Sequence, residues 1–91
     1  MPHYFFDTRS DSHLVRDESG QHLDGMDAVR NEAARGLADL AHDAIPRASR
    51  GELAVEVRDE ADQAVLTAAL RFEVAVVAAK IDWIETGSAR G

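Results

Sequence analysis

The chain has 91 residues, no cysteine and a formal net charge of −7, which excludes a disulfide scaffold, a thiolate nucleophile and a thiolate metal site and leaves room for one domain. Its 45% apolar content suffices for a globular core and is too high for a disordered chain. With one lysine, nine arginines and no basic cluster, neither nucleic acid nor an anionic membrane surface is expected as a partner, because both are held by clustered positive charge.

The opening residues alternate, with Tyr4, Phe6 and Thr8 on one face and Phe5, Asp7 and Arg9 on the other. Ser10, Asp11 and Ser12 form a turn cluster before a second extended stretch, His13 to Arg16, so this part reads as a hairpin. Asp24 is positioned to cap a helix, with Asp27 in the place of the reciprocal capping-box carboxylate. From Met26 the apolar residues Val29, Ala33, Leu37, Leu40, Ala41 and Ala44 follow a helical period, while Arg30, Asn31, Arg35, Asp39 and Asp43 take the other side. Pro46 disfavours helical geometry at Ile45 and should end the helix there. Gly36 within it suggests a close approach to a sheet.

Beyond a polar loop from Pro46 to Gly51, Leu53, Val55 and Val57 alternate with Ala54, Glu56 and Arg58, a half-buried strand. Leu66, Ala68, Leu70, Phe72 and Val74 then alternate with Thr67, Ala69, Arg71 and Glu73, so the apolar face of this longest strand should meet the helix stripe. Leu37, Leu40, Leu70 and Phe72 are therefore expected in the core. Residues 74–84 fit either an extension of the strand to about Val77 or a short helical turn through Ile84, and residues 86–91 should be disordered.

Two stretches nearly repeat. Val15-Arg16-Asp17-Glu18-Ser19-Gly20-Gln21 recurs as Val57-Arg58-Asp59-Glu60-Ala61-Asp62-Gln63, with β-favouring residues running into a short polar turn each time. These residues read as architectural turns.

Pro2-His3-Tyr4-Phe5-Phe6-Asp7, followed by Asp17-Glu18-x-Gly20, resembles the opening of a family of small proteins abundant in rhizobia and related alphaproteobacteria, whose domain has no assigned function. The helix run Ala28-x-x-x-Glu32-Ala33-Ala34-x-x-Leu37-Ala38 fits that family, as do Leu53 to Glu60 and Leu70 to Val74. The resemblance covers residues 2 to about 76 and implies no activity, so no site residue carries over from it. At the level of the fold alone, hairpin, single helix and further strand is similar to HicB-type antitoxins, which neutralise a small toxin ribonuclease.

Motifs for chemistry are lacking. Asp17-Glu18 and Asp59-Glu60 are adjacent residues that point to opposite faces of a strand, so neither pair converges as catalytic carboxylates, and neither has the spacing of a calcium loop. Ser10, Ser12, Ser19, Ser49, Thr8 and Thr67 lie in no nucleophile motif, and the glycines form no phosphate loop. His3, His13 and His22, with Asp7 or Asp11, would hold a metal only if a hairpin brought them together; no cofactor is expected.

The sequence thus predicts one α+β domain over residues 1–85, in the order β-β-α-β-β, with one long helix packed on a mostly antiparallel four-stranded sheet. Sixteen alanines leave the core thin, and a chain of this length buries only about 60–65% of its unfolded surface. A second copy can complete that burial. The expected function is that of a small, cytoplasmic, non-enzymatic protein-interaction module acting as a homodimer, with Phe5, Val77, Ile81, Trp83 and Ile84 as interface residues. The alternatives are an antitoxin-like partner of a small toxin and a metal- or ligand-binding protein.

Overall fold

The computed structural model describes residues 1–76; Val77, Ile81, Trp83, Ile84 and the expected C-terminal tail lie outside the described residues. The elements are strands β1 (His3–Ser10), β2 (His13–Val15) and β3 (Gln21–His22), helix α1 (Met26–Ala44), a single 3₁₀ turn (Ile45–Arg47), and strands β4 (Arg50–Arg58) and β5 (Ala64–Glu73). One long helix lies on one face of an antiparallel sheet, so the fold is α+β.

The sheet order is β2-β1-β4-β5, and β3 also pairs with β1. Thr8 pairs with Val15 and Tyr4 with Gln21, so β2 and β3 are two pieces of one edge strand. Residues 5–7 of β1 lie opposite residues 16–20, two residues more. The first copy of the repeat is therefore a bulge that interrupts an edge strand, and the chain does not reverse there. The second copy does reverse the chain, joining β4 to β5. This is why the order is β-β-β-α-β-β where the sequence predicts β-β-α-β-β.

Directly paired residues share a face of the sheet. The pairs Phe6–Val57, Thr8–Val55, Val57–Leu66, Val55–Ala68 and Leu53–Leu70 place the predicted apolar alternation beneath the helix. A bulge after Val57 leaves Val65 unmatched in the register, and Val65 and Leu66 both pack against the core. Val29 and Ala33 from α1 and Val55 and Val57 from β4 form the fully buried centre. Leu53 and Phe72 are buried as well. Leu37 and Leu40 are only half-buried, and Leu70, expected inside, is 36% exposed. The helix lies mainly over β4 and β5 and barely reaches β1, so the inner strand is covered first and the outer strand β5 is covered in part.

The helix start differs from expectation. Gly25, not Asp24, is the capping residue, with φ 146° and no side-chain cap bond, and its carbonyl accepts the amide of Val29 at 3.1 Å. That backbone geometry favours glycine and places Asp24 one residue too early to cap. At the other end α1 stops at Ala44, near the expected place, but Ile45 keeps helical backbone (φ −60°, ψ −41°) and the chain runs on through Pro46 as a 3₁₀ turn, so the proline does not push the preceding residue out of helical geometry as expected. A β-carbon built on Gly36 would lie 3.6 Å from Val55 Cγ2, an ordinary contact. Strand β5 ends at Glu73, and the Val74 amide makes one further bond to the Ser49 carbonyl at 2.7 Å.

Candidate interaction surface

The sheet face away from α1 carries the charged groups. Asp7 projects there from β1, yet it is only 6% exposed, because the 16–20 bulge folds over it. Arg58 Nε donates to Asp7 Oδ2 at 3.0 Å, and its Nη2 donates to the Asp17 carbonyl at 2.8 Å. The Asp17 amide donates to Asp7 Oδ1 at 2.9 Å. Asp17 in turn fills the gap in the edge strand. Its Oδ2 accepts the Phe6 amide at 3.0 Å, and its Oδ1 accepts the amides of Ser19 and Gly20, each at 3.1 Å. A backbone group left open by the broken ladder thereby finds a partner.

Burial pushes the Asp7 carboxyl up. The Arg58 hydrogen bonds, the Asp17 amide and the charges of Arg58 and Arg16 outweigh that effect and hold it below the usual aspartate range. Asp17 is likewise raised by burial and lowered further by the amides of Phe6, Gly20 and Ser19 and the charge of Arg58, with a net downward shift. Both carboxylates are ionised and saturated with donors. Such a cluster pins a loop and offers no poised acid or base.

Phe5, one of the predicted interface residues, lies on this outer face and is half-buried. Its ring is engaged within the chain: the His3 ring stacks on it at 4.7 Å, and the Arg58 guanidinium lies 4.6 Å from its centroid. His3 and His22, paired across β1 and β3, approach to 4.3 Å. His13 pairs with Ser10 at the opposite end of β1, so the three histidines do not meet. Among the described residues no group of three or more histidine or acidic side chains is placed to hold a metal ion, and no helix among them is long and apolar enough to cross a membrane.

The helix side presents a different surface. Between α1 and β5 runs an open groove of about 550 Å³, lined by Arg30, Ala34, Leu37 and Ala38 from the helix and by residues 66–70 of the strand. Ala34, Ala38, Thr67, Ala69 and Leu70 are exposed along it. Residues 63–70 carry no charge, and among the described residues β5 pairs only with β4. The two sheet edges are thus unlike. One is broken into segments of three and two residues by the Asp17 bulge, a usual defence against edge pairing; the other is ten residues long, and after the bulge at Val65 its residues 66–70 run regular, uncharged and, among the described residues, without a partner strand on the outer side. Two sequence signals mark this groove: the uncharged run 63–70, and the alanines at 34 and 38 on the helix side where charge would be expected.

No curated protein and no solved structure has significant similarity to the chain. A family model, described as a domain of unknown function, matches residues 3–71. That span takes in every strand but the last two residues of β5, together with the helix, the Asp17 bulge and most of the groove, and the chain accordingly belongs to the DUF6894 family.

Proposed function

We propose that this protein is a small, non-enzymatic assembly module that works through protein contacts and acts as a homodimer. One observation carries the reading: the α1/β5 groove leaves Leu66, Ala68 and Leu70, in the uncharged part of β5, incompletely covered by the helix. Contiguous apolar surface of this kind on a small protein commonly marks an interface. The thin core supports the same reading, since a second copy adds burial that a chain of this length cannot provide alone. The most strongly perturbed carboxylates, Asp7 and Asp17, are consumed by loop-pinning bonds, which favours a binding role over catalysis.

Sedimentation equilibrium of the full chain at ~10–100 μM tests the proposal. A mass near twice that of the chain is expected, rising with concentration. A single-chain mass across the whole range would overturn it.

A further inference from the structure

We propose that two copies of this chain join antiparallel through residues 64–70 of β5, on the edge that no other described strand pairs, making one continuous sheet with the two α1 helices side by side on the same face. The inference rests on the homodimeric reading above and assigns its surface.

Three observations select a second copy as the occupant. The first is geometric. Helix α1 sits over β4 and β5, with β4 the more heavily covered, so its axis lies between one and one and a half strand spacings, ~5–7 Å, from a two-fold axis placed beside β5. The two helices would then run about 10–14 Å apart, from the 8–10 Å of packed helix pairs to a few ångströms beyond it. Ala34 and Ala38, exposed on the β5 side of α1, are small enough for that approach. A lone extended peptide on the same edge would pair with β5 and leave the helix flank uncovered.

The second is charge. Each copy carries −7, and the outer sheet face presents Arg9, Glu52, Glu56, Arg58 and Arg71, whereas residues 63–70 present none. Pairing there keeps like charges apart, and antiparallel strands would place each uncharged run against the other. The third is area. Seven strand residues span about 23 Å, and a helix ~10 Å across on the sheet makes the face about 20 Å high. The footprint is on the order of 450 Å² per copy before side-chain relief is counted, which belongs to a small, reversible dimer.

The test compares the full chain with Thr67→Lys on the strand edge and Ala38→Arg on the helix flank, both at exposed positions. Ser12→Lys, in the loop between β1 and β2, controls for charge. Circular dichroism and melting establish that each variant folds, and sedimentation equilibrium reads association. Each groove variant should weaken dimerisation at least tenfold and Ser12→Lys should not; if Thr67→Lys does not fold, Ala38→Arg decides. Added salt should strengthen the wild-type dimer by screening repulsion between the acidic chains. A folded groove variant that associates as tightly as wild type overturns the β5 assignment and leaves the homodimer standing. A wild-type chain that stays monomeric overturns both.

Discussion

Gly20 and Asp62 occupy the same place in the two copies of the Val-Arg-Asp-Glu repeat, and both adopt left-handed backbone, with φ 70° and 63°. The aspartates three residues earlier also match. Asp17 Oδ1 accepts the amides of Ser19 and Gly20, and Asp59 Oδ1 accepts those of Ala61 and Gln63. The turns also touch: Arg58 reaches the Asp17 carbonyl at 2.8 Å and Arg16 reaches Asp62 at 3.4 Å. The same local grammar thus builds an edge bulge in one place and a hairpin in the other.

The equivalence has an asymmetric consequence. A β-carbon at Gly20 would stand 2.7 Å from the Tyr4 carbonyl oxygen, so Gly20→Ala adds a backbone collision to the left-handed strain of about 1–2 kcal/mol. It should destabilise the domain by at least that amount. Asp62→Gly relieves strain and loses only exposed ion pairs, and should stay within about 1 kcal/mol of the parent. Urea unfolding of the two variants checks this; equal losses would contradict it.

Acid should act through Asp7 and Asp17. Both carboxyls sit below the ordinary aspartate value when folded. Their contribution is therefore complete above about pH 3.9 and is lost as pH falls through the folded values. Asp7→Asn should cost about 1.5–3 kcal/mol at neutral pH, the scale of a hydrogen bond to a charged group, and should flatten the acid-side decline. Urea midpoints measured from pH 7 down to pH 2 show whether the slope belongs to this pair.

Gly36 faces Val55 with room for a methyl group. Gly36→Ala removes a helix cost of about 1 kcal/mol and should raise the melting temperature by about 4–8 °C for a domain of this size. A lower melting temperature would mean that the helix approaches the sheet more closely than the 3.6 Å contact implies.

Phe72 and Leu70 lie two residues apart on one face and differ in burial, 7% against 36% exposed. Phe72 is wedged over Gly51, where a β-carbon would meet its ring at 2.8 Å. Phe72→Ala should cost about 3–5 kcal/mol. Leu70→Ala should cost roughly 1 kcal/mol in the dissociated chain, because much of that side chain stays in water. Thermal melts at low micromolar concentration separate the two.

The helix from Met26, the alternation of β4 and β5, the β1–β2 hairpin and the turn character of both repeats are legible in the sequence, because periodicity and turn chemistry are local properties. So is the face that most strand residues take, Val65 at the bulge excepted. Three features required the tertiary structure. The first repeat became a bulge because its flanking segments both pair with β1, a choice made by partners distant in the chain. Asp7, on the charged face by alternation, is buried because that bulge folds over it and Arg58 arrives from β4. Leu70 and the alanines at 34 and 38 lie open because a single helix centred over β4 and β5 is too narrow to close the outer edge. Periodicity states which side of an element is apolar; how far a neighbour covers that side depends on where the packed helix comes to rest.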